Sequence, residues 1–170
     1  ADSISPLSLA GMRAQIATCV AAADGNGPAA RAAILTVLRE ALEQGRSEAK
    51  QLLLDKKDGM ACARLLSTRM DELIAAVYDY VSHHLYLADN PSQSERIAIV
   101  AVGGYGRGTL APGSDVDLLF LLPYKRTPWV ESVVEAMLYL LWDLRLKVGH
   151  STRSVEECVR EAKADMTVRT

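Results

Sequence analysis

Apolar positions keep a helical period through roughly the first 88 residues and gather into short unbroken runs after residue 95. Leu9, Met12, Ile16 and Cys19 share a helical face, and the cluster Asp24-Gly-Asn-Gly-Pro28 then interrupts the chain. Ile34, Val37, Leu38, Ala41 and Leu42 resume the period; Gly45 is a candidate interruption and Asp58-Gly59 a predicted turn. The clearest helix places Leu66, Met70, Leu73, Val77 and Val81 on one face. Arg64, Arg69, Asp71 and Glu72 are expected in solvent. Residues 1–90 therefore read as a helical arm or small bundle without a fixed-period repeat.

Asn90-Pro-Ser-Gln-Ser94 has the composition of a linker, and the period changes after it. Ile97–Val102 and Val116–Leu122 are continuous apolar runs of the kind that make buried strands, the second ended by Pro123. Thr127-Pro128 can cap and start a helix that buries Val130, Val133, Val134, Met137, Leu138, Leu141 and Leu144. A third strand is predicted within Leu146–Arg153. Ser154 and Glu157 then form a capping-box pattern ahead of a helix carrying Val155, Cys158, Val159 and Ala162. The second half is thus strand, glycine turn with a short helix, strand, helix, strand, helix around a small sheet.

Composition narrows the function classes. The 170 residues are 49% hydrophobic and 24% charged, as in a globular protein, and the net charge of -2 gives no general footprint for nucleic acid or a membrane surface. Cys19, Cys62 and Cys158 are odd in number and far apart, which fits neither a disulfide framework nor a zinc site and suits a reducing cytoplasm. No run of 18 apolar residues occurs. The chain starts at Ala1 and ends on Thr167-Val-Arg-Thr170 without a helix stop signal, as expected of a piece of something longer.

The chemistry concentrates in Val102–Phe120, which holds Gly103, Gly104, Gly106, Gly108 and Gly113 together with Asp115 and Asp117. Gly103-Gly104 directly after a strand permits a sharp turn and close approach of backbone N–H groups to a phosphate. The spacing matches neither a Walker loop nor a GxGxxG fingerprint, since position 105 is Tyr105 and the frame from Gly104 meets Thr109. Asp115 and Asp117, one residue apart at the start of a strand, would point the same way with Cα atoms roughly 6.6 Å apart. Such a pair suits a hard divalent cation shared with substrate phosphate. By itself Asp-x-Asp is more often the solvated end of a strand.

The order Gly-Gly, about ten residues, Asp-x-Asp resembles the nucleotidyltransferase superfamily that includes DNA polymerase beta. The fuller text, Gly103-Gly-Tyr-Gly-Arg-Gly108 with Ser114-Asp-Val-Asp-Leu-Leu119, is similar to the N-terminal part of the bifunctional uridylyltransferase/uridylyl-removing family acting on nitrogen regulatory protein P-II. Leu141–Arg153 and Ser154–Cys158 are also similar to that family's following segment. The resemblance covers about residues 95–170. The helical arm over 1–90 matches that family only in general character; with it, the resemblance implies an α+β fold whose small mixed sheet flanked by helices spans 95–170, truncated at its C-terminal side. It further implies Mg²⁺-dependent transfer of UMP from UTP to a tyrosine of P-II in nitrogen and glutamine signalling. Asp115 and Asp117 would be catalytic metal ligands; Gly103, Gly104, Ser114 and Arg107 would bind the nucleotide. The third carboxylate usual in the superfamily is expected beyond residue 170. Related chains carry an acid, followed two residues later by Arg, on a strand past a Thr-x-x-Thr stretch like Thr167–Thr170. That position is a better candidate than Asp143 on a helix surface or Asp165 near the end of the last helix. The chain alone is accordingly expected to transfer poorly.

Tyr105 is read as a packing residue, His83-His84 as surface or packing, and His150 as structural with a place at the rim of the nucleotide pocket as the alternative. Two other functions remain open: another nucleotidyltransferase acting on an antibiotic, an RNA end or another protein, and an inert partner-binding module that keeps the motif as a relic. No HD-type metal motif is present, so this segment gives no support for uridylyl removal.

Overall fold

The computed structural model describes residues 8–23, 25–88 and 95–165. Asp24, the linker Asn90–Ser94 and the stretch Thr167–Thr170 lie outside the described residues. Among the described residues the architecture is α+β, with a three-stranded mixed sheet and six α-helices.

Three helices form the first half. Helix α1 (Leu9–Ala22) starts where the Ser8 hydroxyl accepts from the Gly11 amide at 3.1 Å. Helix α2 (Pro28–Lys56) has Pro28 in its first turn and ends at Lys57, which is left-handed. Gly45 does not interrupt α2. It is buried, and a Cβ there would stand 3.2 Å from the Arg69 side chain, so the glycine serves close helix–helix approach. Helix α3 (Gly59–Tyr80) is capped by Asp58 and continues into a π-helical turn, Val81–Leu85. There Ser82 donates to the Tyr78 carbonyl and His83 engages that of Asp79. Arg69, expected in solvent, instead bridges Glu48 and Glu72 at 2.9 Å each, which raises its pKa, first through Glu72.

The sheet runs β1 (Ala98–Ala101), β2 (Val116–Leu122), β3 (Val148–Ser154) in that order, antiparallel then parallel. Helix α4 (Gly103–Gly106) is a single turn between β1 and β2. Helix α5 (Pro128–Asp143), capped by Thr127, crosses from β2 to β3, and α6 (Val155–Ala164) follows β3 through the Ser154/Glu157 capping box. The Ser154 backbone amide donates to Glu157 Oε2 at 2.7 Å, which lowers the Glu157 pKa.

One hydrophobic core joins both halves. It passes from Met12 and Ile16 through Ile34, Leu38, Leu73 and Val77 to Leu118, Phe120, Met137 and Leu141, all nearly or fully inaccessible. At about 25 cal/mol per Å² of buried apolar surface, this shared contact is the main reason α3 and the sheet hold a fixed relation. Strand β2 alternates: Val116, Leu118, Phe120 and Leu122 are buried, while Asp117, Leu119 and Leu121 are half-buried. The continuous apolar run predicted a strand covered on both faces. Among the described residues only one face is fully covered, and helices supply that cover.

Candidate active site

Strand β1 hands the chain to Gly103, whose φ of 61° lies in the left-handed region that favours glycine. The Val102 amide donates to the Asp117 carbonyl at 3.0 Å, extending the β1–β2 pairing to the level of the aspartate. The chain then makes the α4 turn, in which Gly106 N donates to Val102 O and Arg107 N to Gly103 O. Gly106 has no room for a side chain, because a Cβ would stand 2.5 Å from the Ala101 carbonyl oxygen. Arg107 is exposed, and its guanidinium lies 3.8 Å from where a Gly104 Cβ would be. Among the described residues it has no ion-pair partner.

Helix α3 holds this glycine segment at two points one helical turn apart. The buried Tyr105 hydroxyl donates to Asp71 Oδ1 at 2.6 Å. Burial, reinforced by Asp71, pushes the pKa of Tyr105 far above the usual tyrosine value. The Leu110 amide donates to Ser67 Oγ at 3.0 Å, and Ser67 is the buried polar residue of the core. Asp71, expected in solvent, thus has a tertiary role, and Tyr105 packs as expected.

Ala111–Ser114 closes a β-turn: Ser114 N donates to Ala111 O at 3.1 Å, Pro112 takes the second position, and Gly113 (φ 76°) the third. The Ser114 hydroxyl also donates to Ala111 O, at 2.9 Å, so its proton is committed within the turn. Asp115 is exposed one residue before β2, Val116 is 2% exposed, and Asp117 is half-buried on the strand. The two acids therefore flank a core residue, but only Asp117 belongs to the strand. Among the described residues neither carboxylate has a hydrogen-bond or ion-pair partner, and no group of three His, Cys, Asp or Glu side chains gathers at metal-binding spacing.

The Asp117 carboxylate lies between two glycines. A Cβ on Gly103 would stand 2.8 Å from Oδ2, and one on Gly149 2.2 Å from Oδ1. Gly149 is the register partner of Asp117 on β3. Sequence reasoning placed Gly149 on a strand but assigned it no role; the signal was the glycine within Leu146–Arg153, and the pairing that gives it meaning is not visible along the chain. His150 pairs with Leu118 and so belongs to the opposite face, with its ring 6.2 Å from that of Trp142. It does not border Asp117. Asp143 is on the surface, paired with Arg31 at 2.7 Å. A cavity of about 480 Å³ between α2, α3 and the 110–116 segment touches Gly113 and Ser114, but neither aspartate lines it.

A left-handed glycine turn at the end of one strand is thus set against an aspartate on the next that has no partner among the described residues. Residues 87–166 match the model of the nucleotidyltransferase domain. Over 159 residues, 94% of its length, it is 51% identical to the bifunctional uridylyltransferase/uridylyl-removing enzyme of two strains of Caulobacter vibrioides. The chain spans 17% of the length of these curated relatives. No solved structure gives a significant match. No helix among the described residues is long and apolar enough to cross a membrane.

Proposed function

We propose that this chain belongs to a cytoplasmic uridylyltransferase that moves UMP from UTP to a tyrosine hydroxyl of nitrogen regulatory protein P-II, releasing pyrophosphate. The observation that carries this reading is the Asp117 carboxylate, held between Gly103 and Gly149 at a strand end, with no ion-pair partner among the described residues. The 51% identity to a bifunctional uridylyltransferase/uridylyl-removing enzyme supports uridylyl transfer, and P-II as acceptor follows from the resemblance of the motif segment.

The donor set fits magnesium: Asp115 and Asp117 offer hard carboxylate oxygens that no described side chain neutralises, and both would hold the ion. Bound magnesium, in a two-metal arrangement, would neutralise triphosphate charge and favour the attacking oxygen. The chain's own groups do the positioning. The Gly103-Gly104 turn lets backbone approach the phosphates without a side chain in the way. Arg107, reaching over Gly104, would pair its planar fork with triphosphate oxygens. Ser114 contributes as an acceptor, or as a donor once its bond to Ala111 opens. The third carboxylate would come from residues outside this chain, so residues 1–170 alone would transfer poorly.

The test uses the natural protein that carries this sequence, labelled UTP, ATP or CTP, and P-II. The expected result is magnesium-dependent label transfer from UTP to P-II, lost to background in Asp117→Asn with the circular dichroism spectrum and unfolding midpoint retained. Preference for ATP or CTP, transfer to a different acceptor only, or full activity in Asp117→Asn would overturn the proposal.

A further inference from the structure

Asp117 and Gly149 face the same side of the sheet, because they are register partners on parallel strands. The three atoms nearest an added Gly149 Cβ are Oδ1, Cγ and Cα of Asp117, at 2.2, 3.4 and 4.0 Å. On the other side, the nearest atoms to an added Gly103 Cβ are Oδ2, Cγ and Cβ of the same residue, at 2.8, 3.6 and 3.8 Å. Non-bonded side-chain carbons do not approach oxygens that closely. A methyl at either position would evict the carboxylate from where it stands.

The two glycines differ in their reasons. Gly103 has a left-handed backbone, so its lack of a side chain serves conformation as well as space. Gly149 lies inside β3 and outside the left-handed region. A glycine within a strand weakens it, and marks a site where something approaches closely. At position 149 what approaches is the side chain of Asp117.

We propose that Gly149 is a positioning residue for Asp117: with Gly103 it forms a slot that fixes the direction in which the carboxylate is presented at the end of β2. This rests on the reading of Asp117 as a metal-holding acid. Gly149 itself touches no reacting atom. It acts by what it leaves empty, and a methyl there would turn the carboxylate away from the cation.

Because the clash falls on the far end of a short side chain, Gly149→Ala can relieve it by rotating Asp117 and keep its fold. The expected shift of the unfolding midpoint is about 2–4 °C at most. The informative readout is Mn²⁺ binding in the presence of UTP and without acceptor, followed in the natural protein by the loss of the free-ion electron paramagnetic resonance signal. Gly149→Ala should weaken Mn²⁺ binding about 10–100-fold. In an Asp117→Ala background, the same substitution should have no further effect on binding. Unaltered Mn²⁺ affinity in Gly149→Ala overturns the inference, as does an equal loss in the two backgrounds. No Mn²⁺ binding by the unaltered protein removes the proposed function and the inference with it, which distinguishes the two failures. If Gly149→Ala alone does not fold, the double variant with Asp117→Ala decides: recovered folding supports the slot, and continued unfolding overturns it.

Discussion

Replacing Ser67 by alanine removes one buried hydroxyl, which accepts from the Leu110 amide at 3.0 Å and donates to the Ala63 carbonyl at 3.0 Å. Ser67 and Leu110 are each 5% exposed, so no solvent reaches the amide once its acceptor is gone. An orphaned buried donor costs about 1–3 kcal/mol. Losing the bond to Ala63 costs little, since that carbonyl sits within a helix, and alanine returns about 0.5 kcal/mol in helix propensity. The net loss should be about 0.5–2.5 kcal/mol. For a chain of this size each kcal/mol moves the midpoint by about 2–4 °C. Urea unfolding measures the total, and amide hydrogen exchange locates it: Leu110 should lose protection while the core of α5 keeps its own relative to the new global stability. A change within about 0.5 kcal/mol together with unaltered Leu110 exchange would refute the claim that α3 anchors the glycine segment here.

Tyr105 gives a pH prediction. Its hydroxyl has a raised pKa in the folded chain, so its contribution is complete below the ordinary value of 10.0 and is lost as pH rises above it, where the unfolded chain ionises first. Unfolding midpoints should therefore fall on alkaline titration beyond pH about 10, less steeply in Tyr105→Phe; parallel profiles would contradict the burial of this hydroxyl. Gly106→Ala should destabilise by about 1–3 kcal/mol in denaturant unfolding, because the methyl meets the backbone oxygen of Ala101 at 2.5 Å and backbone cannot rotate aside. A neutral effect would mean the α4 turn shifts freely.

Local signals in the chain were legible where the physics is local. Strand β2 starts and stops at the predicted residues because Pro123 lies just beyond Leu122, and Thr127-Pro128 and Ser154/Glu157 begin their helices as capping chemistry requires. The glycine turn and its facing aspartate were legible as a spaced motif. What escaped was tertiary. Gly45 read as a break because its neighbour Arg69 lies on another helix, and glycine there means proximity. Asp71 and Ser67 gave no signal, since a polar residue on a helix has the same sequence appearance whether it meets water or a Tyr105 hydroxyl. Gly149 escaped for the same reason: cross-strand register decides its meaning, and periodicity within one strand carries no record of it.

The outward side of β2 joins two unlike things. Leu119 and Leu121 project on the same side as Asp117, by strict alternation along the strand, with Val100 and Ala98 as their antiparallel partners on β1. Any body laid over that greasy strip would also roof the half-buried acid at its end and close it off from solvent. A bare anion under such a lid is costly, whereas one matched by a cation is not. Closure of the strip and occupancy of the carboxylate would then be thermodynamically linked, each favouring the other to the same degree.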